Sequence, residues 1–469
     1  MSSSSSHPGF TPFTSMCFTV NYVMGTGFLT LPWAFQSSGI GLAILTLTFV
    51  GYVSNISKDY VLEAMARAEM LKEKKEGEES LMLPPADDAE KSEHTLPLVK
   101  QRKFEIIEMC TLFLGPTGGR AYVTTFSFYM YGCLWAYSSV FANAMAQTIP
   151  LNSSDDYAIY VIIFAVVTVP LTCMELREQV NIQIALSFCR FLMVVVIVST
   201  VAAAFNATTP QFNEQTSANG TDWFNISGFY RILPIAVYAN IYHHSLPGLS
   251  MPVEDKSKLG WIFKVVFMFM FVAYGLIGLS VAWYFGSDIE SSANLNWHDY
   301  RAGTGENTSN DDDPDWSNRA AWVEAIVYFV VLFPALDVAS AFPLNGITLG
   351  NCLMGSYYGS KIQEVETERK IVTMFRILAA VPPIFGSLFV RDLGVITDYT
   401  GITGFAIAFI FPALLHKESK RSCKKKGRET KTLYSGFFSE GDKFPNLMIA
   451  FGAFLVVFVF SSLVYDEAK

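Results

Sequence analysis

Long apolar runs alternate with short polar connections along the whole chain. Eleven of the runs are long enough to cross the roughly 30 Å hydrocarbon layer of a membrane as helices. Their expected cores are residues 13–35, 39–62, 118–148, 157–175, 182–204, 228–249, 260–285, 321–345, 371–389, 393–415 and 445–465. A composition of 51% hydrophobic and 16% charged residues excludes an ordinary soluble globular protein. The pattern predicts an all-α polytopic membrane protein.

Basic residues are concentrated in alternate connections, and cytosolic loops of membrane proteins accumulate Lys and Arg. Most of the 33 Lys and Arg residues lie in the connections 63–104, 175–181, 254–264, 355–370 and 416–443. This distribution places the N-terminus in the cytosol.

Two groups of five spans account for most of the chain. The expected organisation is a disordered cytosolic tail at 1–11, a five-helix unit at 12–204 with a charged cytosolic loop at 63–104, a second five-helix unit at 228–415, a basic cytosolic loop at 416–443, and an eleventh helix with a short outer tail at 444–469. Because five is an odd number, the two units would insert with opposite orientation as an inverted repeat.

Glycosylation sequons test the same orientation. Five of them fall in expected outer loops, at Asn152, Asn206, Asn219, Asn225 and Asn307. A sixth, at Asn55, falls at the cytosolic end of the second span, where we expect it to be unused.

The first span contains residues that weaken a helix. Gly25, Thr26 and Gly27 lie in its middle, and Pro32 follows. Glycine favours loss of helical order and proline removes a backbone donor, so polar backbone groups are freed at bilayer depth. Lipid cannot satisfy these groups. In secondary transporters they line the cavity that binds substrate and coupling ion.

The sixth span has a second break, and it is the first span of the second unit. Asn240, His243, His244, Pro247 and Gly248 lie there within a few residues of one another. The spacing of the two breaks, rather than any similarity between the two halves, is the basis for the inverted repeat.

These residues carry a resemblance to a known family. The pattern Asn21-x-x-x-Gly25-Thr26-Gly27-x-Leu29-x-x-Pro32-x-Ala34-Phe35 resembles the first-helix signature of the amino acid/auxin permease family, within the amino acid–polyamine–organocation superfamily. The segments His244-Ser-Leu-Pro-Gly-Leu-Ser-Met-Pro-Val and Thr400-Gly401-Ile-Thr-Gly404 are similar to its eukaryotic transmembrane protein 104 branch. The resemblance implies a LeuT-like fold of five plus five inverted helices, with helices one and six broken, and an eleventh helix. It also implies cation-coupled movement of amino acids.

The resemblance also suggests the substrate-binding residues. Gly25, Thr26 and Gly27 would present amides and a hydroxyl to the substrate carboxylate, since helix N-termini attract anions. Tyr238 and Asn240 would face the amino group or the side chain. The remaining candidates are Asn21, Tyr129 and His243. The alternative for the Gly-Thr-Gly segment is a close contact between helices.

The expected ion-coupling residues are Asp337, Ser340 and His244. Asp337 is an intramembrane carboxylate, which by default marks function, and Ser340 lies on the same helical face. The consecutive Ser/Thr pair of sodium-coupled relatives is missing, which favours protons over sodium. In the alternative, Arg190 satisfies Asp337 and the histidines only cap broken backbone. A further alternative is that the side chain of Arg190 extends to the membrane interface.

The resulting hypothesis is a secondary active transporter that moves amino acids by alternating access, with protons as the coupling ion ahead of sodium. An amino-acid sensor with the same fold and little net flux is the alternative. Neither requires a cofactor, a metal or a nucleic acid, and no enzyme activity is expected. A glycosylated monomer in a lysosomal, vacuolar or plasma membrane fits both.

Overall fold

The computed structural model describes residues 10–80, 96–99, 104–174, 180–207, 211–212, 221–303, 319–359, 365 and 368–467. For Asn21 and for residues 72–80, 180–184 and 467, it describes the backbone alone. The described chain is almost entirely helical. One continuous apolar core runs through the bundle, from Val23 in the first helix to Leu463 in the last.

The α-helices between residues 10 and 212 are numbered in chain order. They are α1 (Pro12–Val23), α2 (Gly27–Ser38), α3 (Ile40–Ser80), α4 (Ile106–Thr148), α5 (Asp156–Cys173) and α6 (Val180–Asn206). The second group is α7 (Phe229–Asn240), α8 (Leu246–Ser250), α9 (Leu259–Phe285), α10 (Ala321–Tyr358), α11 (Arg369–Ser387), α12 (Leu393–Phe405), α13 (Phe411–Lys425) and α14 (Lys443–Glu467). A π-helical stretch at Ala406–Ile410 joins α12 to α13.

Eight of the described helices are long and apolar enough to cross a membrane, counting α12 and α13 as one. The other three expected spans are α4 and the two broken helices, in which α1 pairs with α2 and α7 with α8. The prediction of a LeuT-like fold with broken helices one and six is confirmed.

The connections gather at two ends of the bundle. At the end where α1 begins, here called the N-terminal face, Phe10 forms an isolated bridge with Val253. At the other end, the distal face, Arg391 pairs with Asp155. The prediction that the N-terminal face is cytosolic stays a prediction.

Two helices extend beyond the ends expected from sequence. α3 continues to Ser80 instead of ending near 62, and α13 continues to Lys425 instead of ending near 415. The added turns are polar, but they are not solvated loops, since Glu63, Arg67 and His416 are buried against one another. Hydropathy marks only the part of a helix that contacts lipid, so it misses a polar extension that packs on protein.

Helix α4 begins at Ile106, ahead of the third expected span, and leads directly into it. The chain changes direction at Gly115, which has φ +77° and is followed by Pro116. A left-handed φ of this kind favours glycine, and proline suits the first turn of the helix that follows.

The described sequons differ in accessibility. Asn152 and Asn206 are exposed, whereas Asn225 is half-buried and donates from its side-chain amide to the carbonyl of Ser37 at 2.9 Å. A glycan on Asn225 would be attached to the same nitrogen that makes this hydrogen bond. Asn219 and Asn307 lie outside the described residues.

Candidate substrate and ion site

The first break is a short non-helical segment between α1 and α2. The amide of Gly25 bonds to the carbonyl of Val23 at 2.9 Å, and the helix resumes at Gly27 with Thr26 as its N-cap. The first amides of α2 have no acceptor within their own helix, as at any helix N-terminus. Asn21 lies on α1, and its side chain lies outside the described part of the structure.

The second break lies between α7 and α8. The chain leaves α7 after Asn240, with Ile241 in an extended conformation, and makes a short 3₁₀ turn at His243–Ser245. Pro247 lies in the first turn of the short helix α8. The side chain of Asn240 donates to the carbonyl of Ala236, four residues earlier in the same helix, at 2.7 Å. In this conformation the side-chain amide of Asn240 is therefore hydrogen-bonded within its own helix.

The two breaks are in direct contact. A Cβ atom added to Gly27 would lie 2.7 Å from Cα of Ala239, so the two backbones approach as closely as glycine permits. The Thr26 hydroxyl is 2.8 Å from the hydroxyl of Tyr238. Gly27 therefore makes the close helix contact that was the alternative to a role in binding. Gly25 is more open, since a Cβ there would meet only the Tyr137 hydroxyl, at 3.7 Å.

A tyrosine from α9 bridges the freed backbone of both breaks. The hydroxyl of Tyr274 lies 2.9 Å from the carbonyl of Ala239 and 3.3 Å from the carbonyl of Val23. Tyr274 is fully buried. Its single proton is shared between the two carbonyls, and the shorter contact is the one to Ala239.

Helix α4 forms another wall of the site. The ring of Tyr129 lies 6.1 Å from that of Tyr238, and the Tyr137 hydroxyl accepts a hydrogen bond from the side chain of Asn345 on α10 at 3.3 Å. Tyr131 points elsewhere and donates to the carbonyl of Leu378 on α11. Tyr129 is therefore the α4 candidate that the structure brings to the breaks.

A buried ion pair joins α6 to α10 beside the first break. Nε of Arg190 donates to Oδ2 of Asp337 at 2.9 Å, and Nη2 donates to Oδ1 at 2.7 Å. The exposed fractions of the two residues are 4% and 7%. Both charges act electrostatically on the hydroxyl of Tyr137, and Arg190 also acts on that of Tyr274, which contacts both breaks. Arg190 therefore does not extend to the interface, and Asp337 has the arginine partner considered in the alternative.

Ser340 stays on its own helix, where its hydroxyl donates to the carbonyl of Asp337 at 2.8 Å. Ser340 therefore lies next to Asp337 on α10, but its hydroxyl is already hydrogen-bonded to the backbone.

The two histidines face different partners. Nε2 of His243 lies 2.7 Å from the Ser57 hydroxyl and 3.1 Å from the carbonyl of Ser54, which fixes this ring on α3. The ring of His244 packs against Phe126 and Tyr129, with centroids 5.4 and 5.5 Å apart. His244 therefore adjoins the Tyr129–Tyr238 cluster, while His243, the predicted substrate ligand, is turned toward α3.

Several residues of this site had escaped the sequence reasoning. Tyr137, Tyr274 and Asn345 lie in apolar spans, and nothing in their local sequence distinguishes them from core residues. Arg190, in contrast, did carry a signal as a charged residue inside a span, and the alternative had paired it with Asp337, although the two residues lie 147 positions apart.

The architecture and the site define a class of protein: a polytopic membrane transporter with two broken helices in an inverted repeat. A family model described as transmembrane amino acid transporter protein matches residues 9–304. The chain belongs to this family.

The curated relatives support the same assignment. The chain is 26% identical over 460 residues to a transmembrane protein 104 homolog of Caenorhabditis briggsae, covering 87% of each chain. It is 23% identical over 523 residues to transmembrane protein 104 of Homo sapiens, covering 98% of each. The family and the branch identified from the sequence are both confirmed.

Solved structures share the fold at low identity. A Na⁺-coupled sialic acid symporter in a substrate-bound outward-open state aligns over 97% of this chain and 89% of its own, with 9% identity and a TM-score of 0.54. A nucleobase-cation-symport-1 family transporter in a closed conformation aligns over 98% and 93%, with 12% identity and a TM-score of 0.53. At these identities the likeness concerns the fold.

Proposed function

We propose that this protein is a secondary active transporter that moves amino acids across a membrane by alternating access. The observation that supports this most directly is the contact between the two broken helices at Thr26 and Tyr238, in a chain that belongs to an amino acid transporter family. A zwitterion needs an anion site and a cation site a few ångströms apart, and broken helices offer both from backbone groups alone.

The carboxylate would bind at the N-terminus of α2, near Gly25 and Thr26. Gly25 is the open position of the first break, so a ligand atom has room to approach it, and its amide would exchange the carbonyl of Val23 for the carboxylate. The amino group would face the carbonyl ends of α1 and α7, where Tyr274 now bridges Val23 and Ala239. Substrate entry would separate Thr26 from Tyr238, because their hydrogen bond lies between the two half-sites.

Protons are the proposed coupling ion. Asp337 can gain a proton, and its loss of charge would release Arg190, which remains charged at every physiological pH. The guanidinium already places a positive charge between α6 and α10, which reduces the need for a sodium ion there. Sodium coupling would have to use backbone carbonyls and the Ser340 hydroxyl, which is engaged by the carbonyl of Asp337.

The direct test is uptake by the purified protein in sealed liposomes. A pooled, labelled set of amino acids is offered under an inward proton gradient, an inward sodium gradient or neither. Proton-driven uptake that is lost in Asp337→Asn supports the proposal. The matched control is Asp288→Asn, an exposed carboxylate outside the site, which should retain uptake.

Other outcomes separate the alternatives. Sodium-driven uptake that survives Asp337→Asn would overturn proton coupling and assign the ion to backbone groups and Ser340. No gradient-dependent flux from correctly folded protein would overturn amino acid transport. That result would favour the amino-acid sensor, for which amino acid binding without flux is the expected signature.

A further inference from the structure

A second intramembrane carboxylate lies apart from the central site. Asp398 is on α12 in the distal half of the bundle and is 3% exposed. Its Oδ1 is fully enclosed and has no hydrogen-bond partner within the described residues. An ionised carboxylate in such a position pays a large desolvation penalty, and a carboxyl group avoids this by holding a proton.

Helix packing sets an arginine at the same level as Asp398. Helices α7 and α12 both start at the distal face, and their backbones meet where Gly401 abuts the carbonyl of Pro234. The next close contact, between Gly404 and Val237, falls three residues further along both helices, so the helices keep this register. Three residues earlier, one turn toward the distal face, the corresponding pair is Asp398 and Arg231. Arg231 is also the cation that acts most strongly on Asp398 electrostatically.

Arg231 is held by a different carboxylate in this conformation. Its Nη2 donates to Oδ2 of Asp466 at the end of α14, at 2.8 Å, and its Nε donates to the Tyr230 hydroxyl at 3.0 Å. The guanidinium also lies over the ring of Trp33 on α2, 5.0 Å from its centroid. Two carboxylates on two helices thus have access to one arginine.

The two possible partners differ in exposure. The side chains of Arg231 and Asp466 are 30% and 42% exposed, and an ion pair of this kind contributes about 0–1 kcal/mol. Loss of this contact therefore costs little. An ionised Asp398, in contrast, is almost entirely shielded from water and needs a cation close by. The remaining charged neighbours are acidic, namely Asp392 and Asp466, while α2 and residues 121–148 of α4 carry no charge.

We propose that Asp398 holds a proton in this conformation, and that loss of this proton moves Arg231 from Asp466 to Asp398. The proton leaves the carboxyl oxygen for water at the distal face, and Arg231 and Asp466 keep their charges. Helix α7, which ends at the second break, then loses its ion pair with α14 and gains an ion pair with α12. Asp398 is thus a second proton-binding site, and only its part in transport rests on the proposed function.

Infrared spectroscopy tests the proton directly and needs no substrate. A protonated carboxyl group has a carbonyl stretch separate from the amide bands. The full-length protein in a detergent that has no ester or carboxylic acid groups should show this band near neutral pH, and Asp398→Asn should remove it. Asp288→Asn, at an exposed position, should leave it intact. Absence of the band from the natural protein, or its survival in Asp398→Asn, would overturn the proposal.

A second variant tests the exchange of Arg231 and does not alter the buried residue. Asp466→Asn removes the competing carboxylate from an exposed position, so Arg231 becomes available to Asp398. A cation that pairs with a carboxylate favours its charged form, and the carboxyl band should titrate about 1–3 pH units lower than in the natural protein. An unchanged or higher midpoint would overturn the exchange.

The two proposals fail separately. A protein that takes up amino acids but lacks the carboxyl band refutes the role of Asp398 alone. A protein that shows the band and its shift without any uptake supports the proton site and refutes the proposed transport.

Discussion

The ion pair of Arg190 with Asp337 allows a test that separates structural from coupling roles. Removing one partner of a buried, bidentate pair costs about 3–5 kcal/mol, because the other charge is left uncompensated. The two single variants should nevertheless differ. Asp337→Asn leaves a guanidinium that cannot release its proton, whereas Arg190→Gln leaves a carboxylate that can accept one. The cost of Arg190→Gln should therefore fall as the pH is lowered, and the cost of Asp337→Asn should not.

The double variant completes the cycle. With both residues neutral, no buried charge remains, and Gln and Asn retain similar shapes. We expect the double variant to recover at least about 2 kcal/mol relative to the sum of the single costs, within the range known for contacting pairs. It should still lack gradient-driven uptake, because the carboxylate that is proposed to carry the coupling proton is gone.

Thermal unfolding in detergent and liposome uptake are the two assays, applied to all four proteins. The exposed pair of Lys258 and Asp255, 3.1 Å apart, is the control, and its disruption should cost about 0–1 kcal/mol. The reasoning is refuted if the double variant is no more stable than the single variants. A double variant with full proton-driven uptake would leave the pair a purely structural role.

Two further predictions concern other parts of the molecule. Gly27→Ala should lower the free energy of unfolding by about 1–3 kcal/mol and reduce uptake, since its Cβ would overlap the backbone of α7. Gly25→Ala has room for its Cβ and should keep the melting temperature of the natural protein. Equal losses in both variants would contradict the packing argument. At the distal face, the side chain of Arg391 and then a backbone amide lower the pKa of Asp155, so this carboxylate stabilises the fold above the ordinary aspartate pKa of about 3.9. This stabilisation is lost as the pH falls through the lowered pKa, and the difference in melting temperature between the natural protein and Asp155→Asn should vanish there; a constant difference would refute the assignment.

Sequence alone predicted the membrane spans and the two breaks because each depends on local properties. A run of apolar residues determines a span, and Gly25 to Gly27 weaken a helix wherever they occur. The polar ends of α3 and α13 were missed for the same reason, since their burial depends on partners such as Glu63 and His416 that are distant in sequence.

The two intramembrane aspartates show what such reasoning misses. Both carry the same signal, an acidic residue inside a span. Asp337 stood out among apolar neighbours, while Asp398 lies in a segment rich in Thr and Gly and was passed over. Their different states follow from partners on other helices, Arg190 on α6 and Arg231 on α7, and no local pattern reveals which arginine is engaged.

Helix α7 connects the distal carboxylate to the central site. Its 12 residues span about 18 Å, and Arg231 and Tyr238, seven positions apart, lie on one face. If the substrate separates Tyr238 from Thr26 by moving α7, this helix either shifts as a whole against α12 or bends at Pro234, which lies between Arg231 and Tyr238. A rigid shift would change the register that sets Arg231 beside Asp398, whereas a bend would leave it intact. If occupancy of the breaks changes the titration of the Asp398 carboxyl band, α7 therefore moves as a rigid helix, and if it does not, Pro234 is the hinge.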